Sequence, residues 1–201
     1  TACSERGSGD SEPPRAEGTG DHDHAGHDHA GHDHAGHDHA DTGGQAGPAA
    51  GSGDGTLEAA GFVFTVPEGW NTHPPSNTMR IAELMVPNPE GKASVAAFSV
   101  AGGDARMNIH RWINQFTNPS GEVVSDRETK TIAGRTVHVV EMSGEYRGMG
   151  MQPPEPDTMM RAAIVEQPGG QHLFIKMTGP VDHMESIGEG WAALIDSMRS
   201  P

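Results

Sequence analysis

Large apolar side chains are confined to residues 57–201 of this chain, and their spacing changes from one stretch to the next. Residues 61–66 alternate, with Phe62, Phe64 and Val66 on one face, and Pro67-Glu68-Gly69-Trp70 then breaks the pattern. A strand followed by a turn is predicted. Residues 79–86 and 93–100 predict two more strands, joined as a hairpin at Asn88-Pro89-Glu90-Gly91. After Asp104 the period lengthens: Ile109, Trp112, Ile113 and Phe116 stand at i, i+3, i+4 and i+7. This predicts an amphipathic helix over 105–116, with Asp104 as N-cap and Asn118-Pro119 ending it. Residues 123–132 and 136–146 form a second predicted strand pair around Ala133-Gly134-Arg135, and 158–166 and 171–178 a third around Gln167-Pro168-Gly169-Gly170. Finally Val181, Met184, Ile187, Trp191, Leu194, Ile195 and Met198 mark one C-terminal helix with a single apolar stripe. Asp182 is expected to complement the positive end of that helix. Trp112 and Trp191 lie on the two stripes and are expected to anchor the core.

Some of these strands, such as Leu173-Phe174-Ile175, are apolar at consecutive positions, so both faces of their sheet need cover. Three strands, a helix, four strands and a helix contain no regular βαβ alternation. The class expected is α+β: a mostly antiparallel sheet of about seven strands covered by helices.

Composition divides the chain in two. Residues 1–58 hold 12 acidic and 2 basic residues, 13 glycines and nine alanines, with Leu57 as the only large aliphatic. Such a segment buries too little apolar surface to offset the entropy of ordering, so a disordered tether is expected over 1–58. Residues 59–201 carry 56 of the hydrophobic residues and are expected to form a single domain. The formal net charge of −15 and the lack of a basic cluster argue against nucleic acid as a partner. No apolar run approaches the roughly 20 residues of a membrane-spanning helix. One cysteine allows no internal disulfide.

The tether carries two chemical signals. Thr1-Ala2-Cys3 resembles the end of a bacterial lipobox, and the only cysteine is followed by a Gly/Ser/Pro/acidic stretch. Lipidation of Cys3 is expected, making the membrane a partner and placing the protein outside the cytoplasm, at the cell envelope on the periplasmic face. From His22 to Asp41 the chain reads HDHAG three times and then HDHAD. His22, His24, His27, His29, His32, His34, His37 and His39 are candidate ligands for zinc, copper or nickel, with the interleaved aspartates completing the shell. A flexible backbone offers no preformed cage, so loose binding suited to buffering is expected. The competing reading is a solvated spacer.

Within 59–201 there is no GxSxG, HExxH, P-loop or dinucleotide-binding glycine fingerprint. His73, His110, His138, His172 and His183 lie on separate elements and are expected to be structural. The loop Gly148-Met149-Gly150-Met151-Gln152-Pro153-Pro154, near Met142, Met159 and Met160, offers soft thioethers suited to Cu(I), against the plainer reading of methionine as adaptable core filler.

The strings FVFTVPEGW (62–70), PPSNTMRIAELMVP (74–87), NIHRWINQF (108–116) and HLFIKMTGP (172–180) resemble those of an uncharacterised family of bacterial envelope lipoproteins. The order of strands and helices resembles the PsbP-like α/β/α sandwich. The resemblance implies that fold and an envelope location, and no catalytic residue. The function expected is a non-enzymatic extracytoplasmic lipoprotein that buffers metal through its tail and binds a ligand or protein partner through its domain. Two alternatives remain: a hydrolase-like enzyme with a spatially assembled site, and a copper-handling protein using the Met-rich loop.

Overall fold

The computed structural model describes residues 51–52, 55–119, 123–148 and 153–201. Cys3, the histidine repeat and the expected disorder of the tether therefore lie outside the described residues, as do Met149 and Met151.

Among the described residues, eleven strands and three α-helices follow one another. They are β1 (Gly51–Ser52), β2 (Thr56–Ala59), β3 (Phe62–Thr65), β4 (Asn71–His73), β5 (Arg80–Val86), β6 (Ser94–Gly102), α1 (Ala105–Ile113), β7 (Phe116–Thr117), β8 (Val124–Ile132), β9 (Arg135–Tyr146), β10 (Glu155–Val165), β11 (Gln171–Pro180), α2 (Val181–Ser186) and α3 (Gly188–Asp196). The main sheet has eight strands in the order β4-β5-β6-β11-β10-β9-β7, with β8 also paired to β9, and a small sheet is built from β1, β2 and β3. All these pairings are antiparallel. The class is thus α+β, as the sequence pattern predicts.

Both faces of the main sheet are covered. On one, Leu173, Ile175 and Met177 of β11 pack with Phe64, Leu84, Phe98, Met184, Trp191 and Leu194, so α2, α3 and the small sheet close this side. On the other, Phe174 packs with Ile164, Met160, Met142 and the stripe Ala105, Ile109 and Trp112 of α1. The rings of Trp112 and Phe174 meet edge to face at 5.8 Å. Trp112 and Trp191 are both core residues, as expected.

Four local features depart from the pattern. The folded domain reaches back beyond residue 59: β2 pairs with β3 in register, and Leu57 is 2% exposed. The cause is the two-residue turn Ala60-Gly61, whose φ values of 50° and 78° suit a tight hairpin and fold Leu57 back onto Phe64. Helix α1 ends at Ile113, not 116; the backbone turns at Asn114 so that Phe116 enters β7 opposite Tyr146 while keeping its place in the core. Strand β4, polar at all three positions, carried no hydrophobic signal. The expected single C-terminal helix is two helices broken at Ile187, where φ is −101° and ψ is 9°.

Arg161 explains that break. Its side chain is buried beneath the junction, donates from Nε to the Met184 carbonyl at 3.2 Å, and pairs with Glu141. A Cβ on Gly188 would stand 3.0 Å from Arg161 Nη2, so only glycine fits the guanidinium at this distance without a shift.

Deleting residues 1–50 should leave the melting temperature within a degree or two, because every described core residue lies later in the chain. Deleting 1–59 should lower it by more than about 5 °C, since the loss of β2 opens the core at Phe64. Differential scanning calorimetry of the two truncations separates these outcomes.

Candidate functional site

A cleft of about 930 Å³ opens where β6 begins, β9 and β11 end, and β10 and α2 begin. Its wall includes Arg80, Lys92, Tyr146, Glu155, Asp182 and His183. Local sequence shapes it. Asn88 folds the β5–β6 loop by accepting from the Glu90 amide through its side chain at 3.1 Å, an Asx turn. Gly179 lets β11 pass against β6, because a Cβ there would stand 2.5 Å from Ser94 Oγ. Pro180 then ends the strand, and α2 starts at once with Asp182 in its first turn. Asp182 makes no side-chain capping hydrogen bond, so its expected contribution reduces to charge at the helix start.

Beside the cleft, a buried carboxylate organises the entry to β5. Glu83 is 2% exposed, and its Oε1 accepts from the Ser76 amide at 2.8 Å, the Ser76 hydroxyl at 2.7 Å and Arg80 Nη1 at 2.8 Å. Burial pushes the Glu83 carboxyl up, but these hydrogen bonds and the Arg80 charge outweigh it and hold the group below the usual glutamate value. His73 Nδ1 stands 3.6 Å from the other oxygen.

Three more groups are shifted by their surroundings. Lys176, partly buried on β11, is lowered first by burial and then by Arg80 and Arg111. Tyr146 is raised by burial and, less, by Glu155. Burial lowers His183, which is 7% exposed and whose Nε2 has no hydrogen-bond partner among the described residues.

The domain histidines do not converge. His110 is exposed on α1, where Asn114 Nδ2 is 3.1 Å from its Nδ1. His172 accepts the Gln167 amide at 3.2 Å beside the β10–β11 turn. His138 lies between Thr129 Oγ1 at 3.3 Å and Glu166 Oε1 at 2.8 Å. This hydroxyl–imidazole–carboxylate chain has the composition of a hydrolytic triad, yet it sits outside the cleft, and Thr129 directly opposes His138 in the β8–β9 ladder. It is a cross-strand contact. Among the described residues, no three His, Cys, Asp or Glu side chains gather as a metal site. Met142 and Met160 are buried in the core under α1, which is the filler role.

Sequence reasoning missed Arg80, Glu83, Arg111 and Lys176. A signal did exist for two of them, because Glu83 in IAELMV and Lys176 in LFIKMT are single charges inside apolar strands. A charge at such a position enters the sheet's covered face and needs a partner.

Comparisons with protein-family profiles and with curated protein sequences find no match. Solved structures do. The chain is similar to LpqN of Mycobacterium tuberculosis, a protein involved in cell envelope biogenesis, at 13% identity and a TM-score of 0.47, covering 70% of this chain and 83% of LpqN. It is also similar to the cyanobacterial PsbP protein CyanoP of Synechocystis, at 12% identity and a TM-score of 0.47, covering 78% of this chain and 99% of CyanoP.

Stability should fall in two steps on acidification. His183 has a folded-state value below its ordinary 6.5, so the unfolded chain takes up the proton first and stability declines as pH drops below that value. Glu83 has a folded-state value below 4.5, so its contribution is complete above 4.5 and is lost as pH falls further. Thermal melts of His183→Gln across pH 7 to 5 should be flatter than wild type. Glu83→Gln should cost about 1–3 kcal/mol at pH 7 and remove the lower step. A wild-type profile in either variant would overturn the assignment of that step.

Proposed function

We propose that this chain is a non-enzymatic lipoprotein of the cell envelope, anchored by lipid on Cys3, whose histidine–aspartate repeat buffers zinc, copper or nickel while its folded domain binds a ligand or partner. The observation that carries the metal reading is the repeat itself. Eight histidines between His22 and His39, each separated from the next by one aspartate or by Ala-Gly, put an imidazole within reach of any ion that enters the segment. Two HDH units supply four imidazoles, enough for one tetrahedral shell, so four units satisfy about two ions. Selectivity follows ligand chemistry, with copper ahead of nickel and zinc.

Anchoring explains why a lone cysteine precedes such a segment. A tether of about 55 residues obeying random-coil scaling would span roughly 40 Å, enough to hold the domain clear of the bilayer and leave the repeat accessible from the envelope space.

Imidazole coordinates only when neutral, so protons compete with metal as pH falls below about 6.5. Isothermal titration of the metal-free full chain with Zn²⁺ or Cu²⁺ should give more than one ion per chain at pH 7.5 and almost none at pH 5. A variant with the eight repeat histidines changed to asparagine should lose the binding. Undiminished stoichiometry in that variant would move the site elsewhere. Mass spectrometry of the native N-terminal peptide should find lipid on Cys3, and an unmodified thiol would end the anchoring argument.

A further inference from the structure

Three cations from three different elements come near one another on the α1 side of the sheet, where Arg80 and the exposed Arg111 both act on the charge of Lys176. Lys176 of β11 stands on the same face as Phe174, two residues earlier, over which α1 packs through Trp112; Arg111 is the neighbour of Trp112. Across the sheet Lys176 pairs with Ala97, and Ala97 in turn with Glu83, whose partner Arg80 arrives from the edge. Two residues beyond Lys176, Thr178 lines the cleft, as does Arg80.

Among the described residues, Glu83 pairs with Arg80, Arg111 bonds only to Asn108 Oδ1 at 2.6 Å, and Lys176 has neither a hydrogen bond nor an ion pair. Three positive charges thus meet one carboxylate, already engaged by Ser76 and Arg80, in a chain whose net charge is −15. Partial burial of an unpaired ammonium beside two guanidiniums is unfavourable in the free protein, and a bound anion would offset it. Guanidinium forks and an ammonium are the groups that recognise phosphate oxygens.

We propose that Lys176, Arg111 and Arg80 form a binding site for a phosphate oxyanion, with the adjoining cleft receiving the rest of the molecule that carries it. The proposal deepens the reading of the domain as a ligand-binding module and is independent of metal binding by the tail. Two sources present this chemistry, a soluble phosphate ester and the headgroup of an anionic phospholipid.

The test is a ¹⁵N-resolved NMR titration of the metal-free full chain with inorganic phosphate at pH 7.5, with ionic strength held constant by chloride. Saturable shifts are expected at the amides of Lys176, Thr178 and Arg111. Lys176→Gln and Arg111→Gln should each raise the apparent Kd at least fivefold while keeping the dispersed spectrum of a folded domain, and His138→Gln, outside the cleft, should leave it unchanged. Co-sedimentation with phosphatidylglycerol vesicles, against phosphatidylcholine vesicles, distinguishes the sources: Lys176-dependent sedimentation assigns a lipid headgroup, and phosphate binding without it assigns a soluble ester. Shifts that match the chloride control, or a change below fivefold in Lys176→Gln, would overturn the site. Because no metal is present, either result leaves the reading of the repeat untouched.

Discussion

The middle of the sheet cannot tolerate water on either face, and the architecture follows from that. Strand β11 presents Leu173, Ile175 and Met177 to one side and Phe174 to the other, and β10 does the same with Ala163 and Val165 against Ala162 and Ile164. Such strands must be covered twice. Helix α1 covers one face with Ala105, Ile109 and Trp112. The other needs more than the C-terminal helices, and the hairpin of β2 and β3 completes it; Val63 and Arg199 bond backbone to backbone in both directions, at 2.9 and 3.0 Å, tying this hairpin to the end of the chain. Trp191 lies in the middle of that side, 1% exposed.

Against this apolar background the few charges inside the sheet set the local geometry. Arg161 is buried, yet its Nε reaches the Met184 carbonyl and its guanidinium reaches Glu141, so the end of α2 gains a donor that the broken helix no longer supplies. The break separates α2 from α3, and both helices still contribute to the core, α2 through Met184 and α3 through Trp191, Leu194 and Ile195. Asp182, His183 and Ser186 of α2 line the cleft. Glu83 plays a comparable part at the other edge, where it gathers Ser76 and Arg80 before β5 enters the sheet. The two ion pairs also differ. Glu141 is 36% exposed and its charge is shared with solvent, whereas Glu83 relies wholly on protein partners.

The cross-strand contact of Thr129 with His138, and of His138 with Glu166, lies away from the cleft. Within the cleft region the distinctive property is charge, with cations at the Arg80 end and Tyr146 and Glu155 opposite them on β9 and β10.

Much of the fold was legible before any coordinates. Alternation at Phe62 and Phe64, the helical spacing from Ile109 to Ile113 and the doubly apolar run at Leu173 are local properties, and local physics decides them, whereas Phe116, which continues the helical spacing, lies in β7. So are the turn at Ala133-Gly134 and the capping of α1, where Asp104 accepts the Met107 amide at 3.0 Å. Composition alone misplaced Leu57, since one leucine in a polar stretch has no local signature; its burial depends on the partner Phe64 across the Ala60-Gly61 turn. The break at Ile187 was equally invisible, because the apolar stripe continues through it and the cause, Arg161, lies 23 residues away from Met184. The charged cluster could be suspected from Lys176 and Glu83 standing alone in apolar strands, but not assembled. Arg80, Arg111 and Lys176 come from separate elements, and only the order of strands β5-β6-β11 with α1 above them brings the three charges to one place. The sequence by itself determined which segments must hide from water; tertiary structure decided which charges would have to share the space left over, because electrostatic neighbours are set by distance in space and not by separation along the chain.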